Sequence, residues 1–222
     1  GTAFDDRLTG GNPRHDYLEW FNGNQGNDTI DGGPGDRKTI VYDPEVRIGF
    51  VNPLTGQREF GTQGVVVNLE NGVATDSFGD RDTLINIDDM RGTRLADRIV
   101  GHDESNFYWG LEGADTLDGG AGSDAAHYRD DALFDGNAGV VANLAAGTAT
   151  DGFGFTDTLI SIEELYATDA QDSVVGSGDD NRIFGYDGVD TVRGRAGDDT
   201  VVAGEGAERI FGEAGDDELW GD

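Results

Sequence analysis

Residues 176–220 read GSGDDNRIF, GYDGVDTVR, GRAGDDTVV, AGEGAERIF and GEAGDDELW, consecutive nonapeptides with no insertion between them. Position one is glycine except at Ala203. Position six is Asn181, Asp190, Asp199, Glu208 and Asp217, and position eight is Ile183, Val192, Val201, Ile210 and Leu219. One apolar position in nine excludes a helix, which needs an apolar residue every three or four positions and loses about 1 kcal/mol for each interior glycine. It suits a short strand in which side chains alternate faces and only the central one turns inward. The other six residues of each block form a turn.

The register extends outward from this stretch. ATDAQDSVV from Ala167 supplies Asp172 and Val174. From Gly92 the chain reads GTRLADRIV, GHDESNFYW, GLEGADTLD and GGAGSDAAH, with Asp97, Asn106, Asp115 and Asp124 at position six. GTAFDDRLT and GNQGNDTID supply Asp6 and Asp28, and the block from Gly32 places Arg37 where a carboxylate is expected. A longer repeat is superimposed: GVVVNLENGVAT at 64–75 returns as GVVANLAAGTAT at 139–150, and DTLINIDD at 82–89 as DTLISIEE at 157–164.

The organisation is therefore three nonapeptide arrays and two spacers. The arrays are 1–40 (with an insertion near 15–22), 92–127 and 167–222. The spacers are 41–91 and 128–166, the second homologous to part of 64–91. Val65, Val67 and Leu69 alternate, as do Leu84 with Asn86 and Leu159 with Ser161, and we read them as strands that continue the stack in wider rungs. The chain begins at Gly1 without an initiator methionine and ends at Gly221-Asp222, which read as the start of another repeat. Both ends suggest a piece of a longer polypeptide.

Two nonapeptides make one coil of an all-β, right-handed parallel β-roll or β-helix solenoid. Val174, Val192 and Ile210 should then form one internal column, and Ile183, Val201 and Leu219 the opposite one. Burying one such side chain contributes about 1.5–3 kcal/mol, too little to order nine residues. The formal charge of −30 also opposes compaction.

A hard cation would meet both deficits, because calcium takes six to eight oxygens from carboxylates and backbone carbonyls. The expected carboxylate ligands are Asp6, Asp28, Asp97, Asp115, Asp124, Asp172, Asp190, Asp199 and Asp217. Gly113, Gly122, Gly188, Gly197 and Gly215 at position four let the backbone curl its carbonyls inward. Ions should bridge Asp97 with Asp115, Asp172 with Asp190, and Asp199 with Asp217, turning metal binding and folding into one equilibrium.

GGAGSDAAH, GRAGDDTVV and GEAGDDELW resemble the RTX, or haemolysin-type, calcium-binding nonapeptide G-G-x-G-x-D-x-U-x. The resemblance covers rather more than half the chain. It implies a calcium-bound β-roll, exported by type I secretion from a Gram-negative bacterium and folded outside the cell or on its surface. Arg37, Asn106, Asn181 and Glu208 depart from the aspartate, and Leu95, Glu104, Ala170 and Asp179 from the position-four glycine. Those loops are expected to be weak or empty sites, and the strongest to lie near 110–127 and 185–202.

No catalytic constellation is legible, and the chain reads as non-enzymatic. His15, His102 and His127 form no H-E-x-x-H cluster, and there is no G-x-S-x-G elbow. The acidic balance disfavours nucleic acid, no apolar run is long enough to span a membrane, and the absence of cysteine removes disulfides. Three functions remain open: a structural calcium-binding module, an accessory module that stabilises a larger secreted enzyme, and an adhesin module that binds glycans or surfaces. Tyr17, Trp20 and Phe21, then Phe107, Tyr108 and Trp109, read as core filling and edge capping, or as a platform for polysaccharide. Unpaired strand edges at the ends of a roll also favour end-to-end self-association.

Overall fold

The structure is a computed structural model that describes residues 1–11, 19–35, 37–44 and 49–221. The expectations about His15, Tyr17 and the first part of the 15–22 insertion lie outside these residues, as does Asp222.

Positions seven to nine of the nonapeptides form three-residue strands, or the first residues of slightly longer ones, that alternate between two large sheets. Among the described residues, one sheet has 13 strands and the other 9. The eighteen-residue stagger sets the pairing. Val174 lies beside Val192 and Val192 beside Ile210 in the longer sheet; Ile183 lies beside Val201 and Val201 beside Leu219 in the other. All these ladders are parallel, and the chain is a parallel β-roll, as its sequence predicts. The strand Arg98–Val100 shows the local logic: Ile99 is fully buried while its neighbours turn outward. Side chains from both sheets share one core cluster that includes Ile30, Met90, Tyr108, Leu165 and Val201.

The spacers enter the same stack. Strands Val66–Asn68, Val73–Thr75 and Arg81–Ile85 insert side by side into the longer sheet, the middle one antiparallel to both neighbours. Val141–Asn143, Thr148–Thr150 and Thr156–Ile160 repeat this arrangement. Leu84 and Leu159 are buried. The alternation stops there, because Asn86 and Ser161 adopt φ of 52° and 49° and turn the chain toward the other sheet with their side chains exposed.

The block from Gly32 corrects the expected register. Ile40, not Thr39, pairs with Met90, and the Lys38 amide donates to Asp88 Oδ2 at 2.8 Å. Lys38 therefore takes position six, because this turn holds one residue more than the others. Its ammonium is buried and lies 2.9 Å from Glu19 Oε2, which holds the Glu19 carboxyl below its usual range. Arg37 instead bonds Asp89 and covers the Phe107 ring.

Candidate metal centre

Position six stands where the turn meets the strand, and its backbone amide points along the stack. That amide donates to the position-six carboxylate of the next coil. Asp97 N donates to Asp115 Oδ1 and Asp172 N to Asp190 Oδ1, each at 2.8 Å, and Asp199 N donates to Asp217 Oδ1 at 3.1 Å. Asp6 with Asp28, Asn106 with Asp124 and Asn181 with Asp199 repeat the bond. The ladder continues into the spacers through Asp82, Asp157 and Glu163. The expected bridging pairs are thus neighbours, but the first oxygen of each acceptor carboxylate is already engaged by an amide.

What the second oxygen meets divides the loops into two classes. In loops without glycine at position four, the position-two amide donates back to position six. Thr93 N reaches Asp97 Oδ2 at 2.6 Å, Thr168 N reaches Asp172 Oδ2 at 3.0 Å, and Thr2 N reaches Asp6 Oδ2. Ser177 and His102 do the same to Asn181 and Asn106. The Thr93 and Thr168 hydroxyls add bonds of 2.9 and 2.7 Å to the first oxygen. These loops close on themselves, as an Asx or hydroxyl side chain closes a turn.

Every described loop with glycine at position four behaves differently. Both position two and position four have positive φ, even where position two is Leu111, Tyr186, Arg195 or Glu213, at 66–87°. Such angles are uncommon for these residues. The position-two amide no longer serves the carboxylate, and the second oxygens of Asp28, Asp115, Asp124, Asp190 and Asp199 are buried without a hydrogen-bond partner, as is Glu208 Oε1. A bare buried carboxylate oxygen carries a full desolvation penalty.

The glycines show how tightly these loops nest. A Cβ on Gly110 would stand 2.4 Å from Asp115 Oδ2, and one on Gly194 would stand 2.1 Å from Asp199 Oδ2. At position four, a Cβ on Gly188 would stand 2.4 Å from the Ala170 carbonyl oxygen, and on Gly197 2.7 Å from that of Asp179. Gly113, Gly122 and Gly215 lie likewise against Leu95, Glu104 and Gly197 of the preceding coil. Carbonyls of one coil therefore gather beside the next coil's position-four glycine, while the bare oxygens of Asp190 and Asp199 face the position-one glycines Gly185 and Gly194, where the Ala203 and Gly212 carbonyls of the following coil also approach. Among the described residues, no three acidic or histidine side chains form a metal cage by themselves. An ion would draw on these carbonyls as well, which suits calcium.

The sequence profile of the RTX calcium-binding nonapeptide repeat matches the chain in four copies, at 16–36, 91–126, 166–201 and 202–222, just over half of its length. The chain belongs to this RTX repeat family. No curated protein matches the chain.

The RTX copies leave 1–15, 37–90 and 127–165 unmatched, so Asp6, Lys38 and the spacer carboxylates fall outside the matched copies. Within the RTX loops, burial raises the carboxyl pKa: to about 7 at Asp124, to about 6 at Asp28 and Asp190, and upward at Asp172 and Asp199. At Asp115 burial acts first and the nearby charges of Asp97 and Asp157 add to it. Asp6 is held low by the Thr2 amide.

Sequence reasoning missed the position-two closure. Its signal was a hydroxyl at Thr2, Thr93, Thr168 and Ser177 in loops that lack the second glycine. His127 lies in the strand Ala125–His127, its ring 5.0 Å from Trp109 and 5.2 Å from Tyr166.

Proposed function

We propose that this chain is a structural module that assembles on calcium outside the cell, with ions beside its aspartate-bearing glycine loops. The observation that carries this reading is the bare, buried carboxylate oxygen of Asp28, Asp115, Asp124, Asp190 and Asp199 in the glycine loops, absent from the described self-closed ones. Asp28, Asp115, Asp124, Asp190, Asp199 and Asp217 would hold the ions, together with carbonyls of the adjoining coils. Asp97 and Asp172, whose oxygens already accept from backbone amides, would serve as self-sufficient rungs at the start of the second and third arrays. The ions would supply positive charge to a chain of net charge −30 and fix the left-handed position-two residues. Extracellular calcium modules bind at about 10⁻⁴–10⁻³ M, and type I export of RTX-like chains supports the same location. Accessory service to a secreted enzyme fits the same structure.

Asp190→Ala is expected to cost at least about 2 kcal/mol in calcium, the scale of losing a charged ligand and its amide bond, and to lower calcium affinity. Asp31→Ala, at an outward position where the carboxylate bonds Gly33 N and Asn86 Nδ2 and lies 3.8 Å from an exposed Arg7 guanidinium nitrogen, is expected to cost about 1 kcal/mol or less. Urea unfolding of both variants with calcium and with chelator checks this. Equal losses for the two in calcium would refute the assignment.

A second reading, glycan binding, rests on one feature. Phe107, Trp109, His127, Tyr166, Phe184 and Tyr186 form a ladder across the outer face of the nine-stranded sheet, with neighbouring ring centroids 4.6–6.4 Å apart. Half-buried stacked rings of this kind offer a flat apolar face with polar edges. Acidic and neutral polysaccharide pulldowns with the wild type and Trp109→Ala decide it: binding lost in the variant supports it, and no binding by the wild type removes it.

A further inference from the structure

The second spacer buries a pair of carboxylates that neither the nonapeptide motif nor the core explains. We infer that Asp131 and Asp151 form an additional calcium site, outside the RTX loops, that locks the spacer turn onto the stack. The ion's identity rests on the calcium reading above.

Both residues are 1 % exposed. Asp151 Oδ1 accepts from the amides of Phe153 at 3.0 Å and Phe155 at 2.7 Å, and Asp131 Oδ2 accepts from Gly152 N at 3.0 Å. The remaining oxygens, Asp151 Oδ2 and Asp131 Oδ1, are buried with no hydrogen-bond partner. The two carboxylates flank one glycine, and each side chain has one oxygen fixed by the backbone and one free. The Gly136 carbonyl lies against the same glycine, 2.9 Å from where its Cβ would be. Asp157, which caps Asp115 N and accepts from Tyr128 OH at 3.0 Å, adds negative charge nearby. No cationic side chain is hydrogen-bonded or ion-paired to Asp131 or Asp151 among the described residues. Two buried carboxylates with a carbonyl beside them offer a hard cation an all-oxygen site; left bare, they carry the cost of unpaired buried charge.

The arrangement is not an accident of one turn. Seventy-five residues earlier, as in the sequence repeat, Asp76 Oδ1 accepts from Phe78 N at 3.0 Å and Asp80 N at 2.7 Å, and Asp76 Oδ2 is again buried and bare. There the neighbouring carboxylate is Asp80. Each turn precedes the strand that pairs with a nonapeptide strand, Thr156–Ile160 with Thr116–Asp118 and Arg81–Ile85 with Thr29–Asp31. The site thus sits where a repeat loop would have stacked, and an ion there would close the joint between array and spacer.

Calcium titration calorimetry of the full chain tests this, with Asp131→Asn and Asp151→Asn compared with the wild type and with Asp190→Asn as a repeat-loop control. Asparagine keeps the oxygen that accepts the backbone bonds. Each spacer variant is expected to bind one ion fewer than the wild type, and Asp151→Asn combined with Asp190→Asn two fewer. Unchanged stoichiometry in both spacer variants, while Asp190→Asn loses an ion, overturns this site and leaves the repeat reading standing. A wild type that binds no calcium overturns both. Melting in chelator guards against misfolding: Asp151→Asn should melt there no lower than the wild type, because it removes a like charge. An equal drop in melting temperature in chelator and in calcium would mark a purely structural carboxylate and overturn the site.

Discussion

In chelator, the melting temperature is expected to fall as the pH is raised from about 5 to about 9, and saturating calcium is expected to abolish or reverse the trend. The cause is burial of carboxyl groups without counter-charge. Burial lifts Asp131 to about 8, Asp157, Asp82 and Asp124 to about 7, and Asp28 to about 6. Unfolded, these groups ionise near pH 4. Between that value and their folded values the folded chain holds protons that the unfolded chain has released. Stability therefore declines as pH rises through this window. Every tenfold difference in proton affinity between the folded and unfolded chain is worth about 1.4 kcal/mol, so several such groups rival the ~5–15 kcal/mol that holds a domain folded. Asp6, Glu19 and Asp31 are held low and act in the opposite sense, but they are partly exposed and weakened by screening. Calcium needs the ionised carboxylates, so its affinity rises over the same range. Scanning calorimetry at fixed ionic strength with each condition checks the pair of slopes; a chelator melt that rises with pH contradicts the account.

The second large effect is expected from a single methyl group. Gly194→Ala should cost about 3 kcal/mol in calcium, at the upper end for forced overpacking, whereas Gly178→Ala should be close to neutral. A Cβ on Gly194 would stand 2.1 Å from Asp199 Oδ2 and 2.9 Å from the Gly212 carbonyl oxygen, so the carboxylate must leave its seat. A Cβ on Gly178 meets nothing within 4 Å. Both glycines belong to the third array, so the comparison isolates the seat of the carboxylate from the general cost of changing a glycine. Urea unfolding of the two variants with calcium measures it, and equal stabilities would remove the carboxylate seat from the argument.

The nonapeptide period made the roll legible because one inward position in nine leaves little freedom: the columns Val174–Val192–Ile210 and Ile183–Val201–Leu219 follow from spacing alone. The slip at Lys38 did not, because Thr39 and Ile40 both suit a strand and one additional residue in a turn leaves no trace in the apolar pattern. Nor did the antiparallel strands Val73–Thr75 and Thr148–Thr150, whose inward residues Ala74 and Ala149 are small. At the candidate metal centre the aspartates were visible from the motif. The division of loops was only half visible: Leu95 and Ala170 marked the loss of a glycine, but what replaces it is a backbone amide turned by φ, which has no residue type of its own. Asp131 and Asp151 were unreadable as a pair, since the turn that brings them together follows no nine-residue rule.

The account stands on buried carboxylates that need a cation to tolerate folding. Its most direct test is far-ultraviolet circular dichroism of the full chain at neutral pH, titrated with calcium from a chelator-treated start. The expected result is a weakened β signal and a low-melting fold in chelator, a β-rich, heat-resistant spectrum that builds with calcium, and poor substitution by magnesium, which demands a small octahedral site. A spectrum equally β-rich and equally heat-resistant in chelator and in calcium would contradict it.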